Sequence, residues 1–114
     1  MAGGLAEATK ENFRDLVARG VVLVDVWGPQ CRPCIALMPH VERIAESRPD
    51  LTVVKLDSTK ARRLCIEMRV MGLPAFILFQ DGREVARIAA PDLTAPPLER
   101  WLDETLEALG KGVS

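Results

Sequence analysis

Residues Val21-Val22-Leu23-Val24-Asp25-Val26-Trp27 form a β-branched run in which apolar side chains do not alternate with polar ones. A strand of that kind must be covered on both faces, the situation of a strand with parallel neighbours and helices on either side. After Gly28-Pro29-Gln30, Leu37, Met38, Val41, Ile44 and Ala45 repeat at helical spacing between about Arg32 and Ser47, and Leu51 to Asp57 reads as a second buried strand. Strand, helix, strand in that order predicts a βαβ unit with parallel strands. Pro33 falls in the first helical turn, where a missing N–H costs nothing. Pro39 lies deeper and is expected to remove a helix bond and kink the helix, and Pro49 stops it.

The rest of the chain builds around this unit. Upstream, Thr9 as N-cap, Phe13, Leu16 and Val17 on one face and Gly20 as terminator predict a first amphipathic helix. Downstream, a short helix is expected from about Lys60 to Met68, with Ala61, Leu64, Cys65 and Met68 facing inward. Ala75 to Phe79, an Asp81-Gly82 turn and Glu84 to Ala90 predict an antiparallel hairpin. Thr94 as N-cap, Pro96 and Pro97 in the first turn, and Leu98, Trp101, Leu102, Leu106 and Leu109 predict a last helix closed by Gly110. The order α-β-α-β-α-β-β-α gives an α/β fold: a central mixed sheet of about four to five strands flanked by helices on both faces. Residues 1–114 are read as one domain, flexible in its first few residues and after Gly110.

Composition narrows the function. The chain has 114 residues, 48% apolar and 27% charged, with a net charge of -1, so it lacks the electrostatic footprint of a nucleic-acid or anionic-membrane binder. It has neither a secretory leader pattern nor an apolar run approaching the roughly 18 residues of a membrane span, and is read as a cytoplasmic monomer. A chain long enough to bury a core needs no disulfide framework, so a close pair among its 3 cysteines points to redox or metal chemistry.

Cys31-Arg32-Pro33-Cys34 follows a buried strand and opens a helix within the βαβ unit, the context that makes a C-x-x-C a redox motif. Both sulfurs lie on one turn. Cys31 sits where unpaired N–H groups and the positive end of the helix dipole stabilise a thiolate, and is expected to attack; Cys34, deeper and more shielded, is expected to resolve. The competing reading is half of a zinc site completed by His40 and Cys65. His40 points roughly 120° away from Cys34 around the helix, and Cys65 belongs to another helix's core face, so four ligands do not converge easily. Asp25 is a carboxylate in a buried strand, which raises its pKa. Its functional reading is a proton acceptor for Cys34, directly or through water; the alternative is a carboxylate satisfied by a backbone or Lys partner, with Lys55 as the natural charge. Cys65 reads as a buried apolar thiol, His40 as a surface residue, Trp27 as both packing and part of the site's face, and Trp101 as core.

Taken together, Val22-Leu23-Val24-Asp25-Val26-Trp27, the C-x-x-C with Pro33, Pro39, Val54-Lys55-Leu56-Asp57, Gly72-Leu73-Pro74 and the Asp81-Gly82 hairpin resemble thioredoxin, over a span from about Thr9 to Leu109. The resemblance implies a thioredoxin-like fold, a cis Pro74 facing the sulfurs and offering backbone to an incoming peptide, and an apolar Leu73 before it, as in the family's reductases. It implies a protein thiol-disulfide oxidoreductase acting in electron transport and cell redox homeostasis. No cofactor is expected on the chain itself; electrons are expected from NADPH through a separate flavin-containing thioredoxin reductase, or a dedicated equivalent, and pass to disulfide-containing target proteins.

Thioredoxins usually carry Trp-Cys-Gly-Pro-Cys. Here Gln30 replaces the second Trp, Arg32 the Gly, and Ala90 a Gly on the same partner-facing surface, so that Trp27, Gly28, Pro29, Gln30, Arg32, Pro33, Leu73, Pro74 and Ala90 together shape the docking face and point to a specialised partner. A cation at Arg32 favours the Cys31 thiolate and makes the couple more oxidising, unless solvent screens it. The alternatives to a reductase are an oxidase or isomerase of the same fold, and a binding module whose surface matters more than its thiols.

Overall fold

The structure, a computed structural model, describes residues 5–113, with side chains described as far as Gly110. Five strands form one sheet: β1 (Ala6–Ala8), β2 (Val21–Trp27), β3 (Thr52–Asp57), β4 (Ala75–Gln80) and β5 (Arg83–Ala89), in the spatial order β1-β3-β2-β4-β5. β1, β3 and β2 run parallel, with Ala8 opposite Leu56 and Trp27 opposite Asp57, while β4 and β5 run antiparallel. The sheet is therefore mixed, and one strand more was found than the residue pattern had located. β1 has only three residues, two of them Ala and one Glu, which are poor strand formers; its hydrogen bonds to β3 hold it in place.

Four helices cover the sheet. Side-chain alternation along β2 divides the core: Val22, Val24 and Val26 pack with Phe13, Ala61, Leu64 and Cys65, beneath α1 (Phe13–Leu16) and α3 (Arg62–Glu67). Leu23 faces the other way and packs with Leu37, Val41, Ile44, Leu98 and Leu102, beneath α2 (Arg32–Ser47) and α4 (Ala95–Val113). Residues 22–26 are all at most 1% exposed, as a non-alternating run requires.

Three boundaries differ from expectation. α1 is a single turn: Thr9 and Asn12 exchange backbone and side-chain hydrogen bonds (2.7 and 3.1 Å) in a turn that precedes it, and Thr9 therefore starts the turn rather than capping the helix. Gly110 does not close α4, which runs through it to Val113; among the described residues the positive-φ glycines are Gly20 and Gly82, and a glycine that keeps helical dihedrals supplies no left-handed cap. α3 ends on Arg69 at φ 59°, with Val70 N–H donating to the Cys65 carbonyl (2.9 Å), a left-handed cap built without glycine. α2 continues through Pro39 as one element. The first residues, expected to be flexible, lie outside the described residues. Asp81 (φ 51°) and Gly82 (φ 86°) make the expected hairpin turn, and Asp81 also exchanges hydrogen bonds with Gly20, tying this turn to the entrance of β2.

Candidate active site

β2 delivers the chain to the start of α2 through a tight turn, Cys31 N–H donating to the Gly28 carbonyl at 3.0 Å. Cys31 is the N-cap residue of α2, and its Sγ accepts from the Cys34 N–H at 3.3 Å. A sulfur held at that position meets the unpaired N–H groups and positive end of a sixteen-residue helix, which stabilises it as a thiolate. Cys31 and Cys34 are joined as a disulfide, their Cα atoms 5.3 Å apart. Their environments differ: Cys31 is half-buried and Cys34 only 1% exposed.

Beneath α2, on the same sheet face as Leu23, lies Asp25, itself 1% exposed. Among the described residues, neither of its carboxylate oxygens has a hydrogen-bond partner, and the same holds for Nε1 of Trp27 two residues on. Burial pushes the Asp25 carboxyl from 3.8 up to about 7, against the pull of the Lys55 ammonium, which favours the ionised form. Lys55 stands opposite Asp25 across the parallel β2–β3 pair, and its Nζ lies 5.7 Å from the centre of the Trp27 ring. The cation is thus near but does not satisfy the carboxylate. A carboxyl that changes charge near neutrality, on the face carrying a buried cysteine, can take and return a proton during thiol chemistry.

Around this pair the structure assembles residues far apart in sequence. The Leu73–Pro74 peptide bond is cis, and Pro74 is buried. Leu73 reaches the redox loop: a Cβ on Gly28 would stand 3.4 Å from Leu73 Cδ1 and 3.5 Å from Ser58 Oγ, so Gly28 is where three segments meet. Ala90 N–H lies 3.4 Å from the Pro74 carbonyl, which brings the end of β5 beside the cis peptide bond. Pro29, Gln30 and Arg32 are exposed and Pro33 is half-buried. A groove of about 300 Å³ opens along α2, lined by Pro33, Ala36, His40, Leu93 and Ala95 among others.

Arg87 and Ser58 also belong to this site. Arg87, on the edge strand β5, donates to the carbonyls of Met68 (2.8 Å) and Arg69 (3.2 Å) while paired with Glu84 (2.6 Å), and so anchors the chain that leads into Leu73–Pro74. Ser58 N–H donates to the Trp27 carbonyl at 2.9 Å and fixes the loop after β3 against the redox loop. An arginine on a strand edge and a serine after a strand carry no pattern that marks them. Met71, 93% exposed, stands in the segment before the cis bond.

The zinc alternative meets a topological obstacle. Cys65 packs beneath α3 on one face of the sheet and α2 covers the other, so Cys65 and the Cys31–Cys34 pair are separated by the sheet. His40 is half-buried rather than on the open surface, and its Nδ1 contacts the Arg43 guanidinium.

Comparison with known proteins is decisive at this point: the thioredoxin family model matches residues 4–104. The chain belongs to the thioredoxin family. It is 38% identical over 96 residues to thioredoxin of Acetoanaerobium sticklandii, covering 82% of this chain and 91% of that one. It is 41% identical over 90 residues to the bifunctional thioredoxin reductase/thioredoxin of Mycobacterium leprae, covering 76% of this chain and 20% of that protein. The crystal structure of oxidised mitochondrial thioredoxin 3 from Saccharomyces cerevisiae shares the fold, with a TM-score of 0.78 at 24% identity over 88% of this chain and 94% of that one. As a thioredoxin with a close cysteine pair, the protein is a thiol-disulfide oxidoreductase, and the oxidase, isomerase and binding-module readings are not favoured.

Proposed function

We propose that this thioredoxin reduces protein disulfides through Cys31 and Cys34, with Asp25 as the proton acceptor. The Cys31 thiolate attacks one sulfur of a target disulfide; a Cys31–target disulfide forms and the other target sulfur leaves as a thiolate. Cys34 then gives its proton to the Asp25 carboxylate, directly or through water, and attacks Cys31 Sγ. The Cys31–Cys34 disulfide forms, the second target sulfur leaves, and two electrons have passed from the dithiol to the target. The observation that carries this reading is the asymmetry of the pair: Cys31 half-buried at the helix start, Cys34 fully buried in the helix that covers the sheet face bearing Asp25, a carboxyl raised to about 7.

Trp27, Gly28, Pro29, Gln30, Arg32, Pro33, Leu73, Pro74 and Ala90 form the face on which targets dock, with the backbone around the cis Pro74 offered to an extended target segment. Residues 1–114 act as one domain. Electrons return from NADPH through a flavin-containing thioredoxin reductase or a dedicated equivalent; the pairing of those two activities in the name of the Mycobacterium leprae relative supports this. The protein takes part in electron transport as a cytoplasmic monomer; no helix among the described residues is long and apolar enough to cross a membrane.

The test is trapping. Cys34→Ser, mixed with a disulfide-bearing protein, should accumulate a mixed disulfide that maps to Cys31 by mass spectrometry, and Cys31→Ser should accumulate none there. Trapping on Cys34 instead would reverse the assigned roles.

A further inference from the structure

A groove of about 510 Å³ lies away from the sulfurs, and its lining is basic. Lys10 and Arg14 line one side, Lys60, Arg62 and Arg63 the other, against two carboxylates, Glu11 and Glu67. None of the five cations has an ion-pair partner among the described residues, whose salt bridges are Arg48–Asp103 and Glu84–Arg87. Arg14 only stacks over the Phe13 ring, at 5.4 Å. A chain of net charge -1 thus concentrates an excess of positive charge in one concave place.

Topology sets that place beside the redox loop. β1, β3 and β2 are adjacent and parallel, so all three leave the sheet at one end. β2 leads to the cysteines, β3 to Ser58, Thr59 and Lys60, and β1 to Thr9 and Lys10. Ser58 is bonded to Trp27, and its loop continues directly into the groove. With neighbouring strands about 4.8 Å apart, the ends of β3 and β1 that lead to Lys60 and Lys10 stand about one and two strand spacings from the end of β2, while Arg14, Arg62 and Arg63 ride on α1 and α3, on the sheet face opposite α2. An extended segment crosses one to two strand spacings in about two to three residues, and needs further residues to reach the arginines on the helices.

We propose that this groove is a specificity site that receives an acidic segment of the target protein, the carboxylates lying about two to five residues from the cysteine that Cys31 attacks. The inference rests on the disulfide-reductase reading above and adds the target's chemistry to it. A nucleic acid is disfavoured because the basic lining is local and the rest of the chain offsets it. The cations accelerate capture by attracting the segment before the sulfurs meet, and their effect is largest at low ionic strength.

The experiment compares two disulfide-linked peptides, one with glutamates at those positions on both sides of its cysteine and one with glutamines, as substrates of the reduced protein. At low ionic strength the acidic peptide should react about 10-fold faster, and the ratio should fall toward one at about 0.5 M salt, where the Debye length is about 4 Å. In Arg62→Gln/Arg63→Gln the low-salt ratio should also fall toward one; because it is a ratio, a general loss of folded protein cancels. A wild-type ratio of one, or a ratio indifferent to salt or to the two arginines, overturns the proposal. If neither peptide is reduced, it is the reductase reading that fails. If a single-stranded oligonucleotide binds the groove while the peptides react alike, the groove serves nucleic acid and the proposal is overturned in that direction.

Discussion

Replacing Asp25 by Asn should stabilise the protein, by an amount set by pH. The carboxyl is 1% exposed, makes no hydrogen bond among the described residues, and has been moved from 3.8 to about 7 by burial. At 1.36 kcal/mol per pKa unit this corresponds to about 4 kcal/mol. Between those two values the native chain holds a proton that the unfolded chain has released, so stability falls as pH rises, and the full penalty is present above about pH 7. Asn carries no charge and escapes it. The oxidised variant should therefore match the wild type near pH 4 and exceed it by about 4 kcal/mol at pH 8, shifting a guanidinium midpoint by about 1 M. The assay is denaturation from pH 4 to 9 followed by tryptophan fluorescence. A difference that does not change with pH, or a variant less stable at pH 8, would refute a buried, unsatisfied carboxylate. The same substitution should slow release of target from the mixed disulfide by about 100-fold at pH 7, since the proton from Cys34 loses its acceptor.

Lys55→Met should move the midpoint of the Asp25 effect to higher pH, because the cation that favours the ionised carboxylate is gone; a midpoint that stays put or falls would show that the two charges do not communicate. Arg32→Gly should lower the reduction potential by about 10 to 20 mV, measured against defined thiol buffers, the scale of one exposed charge acting on a thiolate; an unchanged or higher potential would assign Arg32 no electrostatic part. Phe13→Ala should cost about 3 to 5 kcal/mol in denaturation, since its ring is fully buried and meets Phe79 edge-on at 5.6 Å. Cys65 should resist alkylation in the native reduced protein while Cys31 reacts, because burial and the nearby Asp57 push its thiol pKa up; early labelling of Cys65 by mass spectrometry would contradict its placement in the core.

What the chain disclosed on reading depended on whether a residue's role was local. The β2 run, the C-x-x-C at a helix start and the Asp81-Gly82 turn each carry their reason within a few positions, and all three stand where the pattern placed them. β1 escaped because its strand character comes from β3, not from Ala6-Glu7-Ala8. Gly110 misled because a glycine ends a helix only when it turns left-handed, and Arg69 did so after α3 without being a glycine. At the site, Asp25 announced itself as a charge in an apolar strand. Arg87 did not, because its targets, the carbonyls of Met68 and Arg69, are about 20 residues away in sequence and become neighbours only when β5 pairs with β4.

The two rims of the sheet bear on how such a protein behaves when crowded. One is the three-residue β1; the other is β5, where the register slips between Leu78 and Phe79, leaving Val85 as an extra residue, and where Arg83, Glu84 and Arg87 face solvent. A short rim and a bulged, charged rim are poor templates for another extended chain. At high concentration the sheet therefore offers a second copy of the chain little to extend, and edge-to-edge growth from either margin is suppressed.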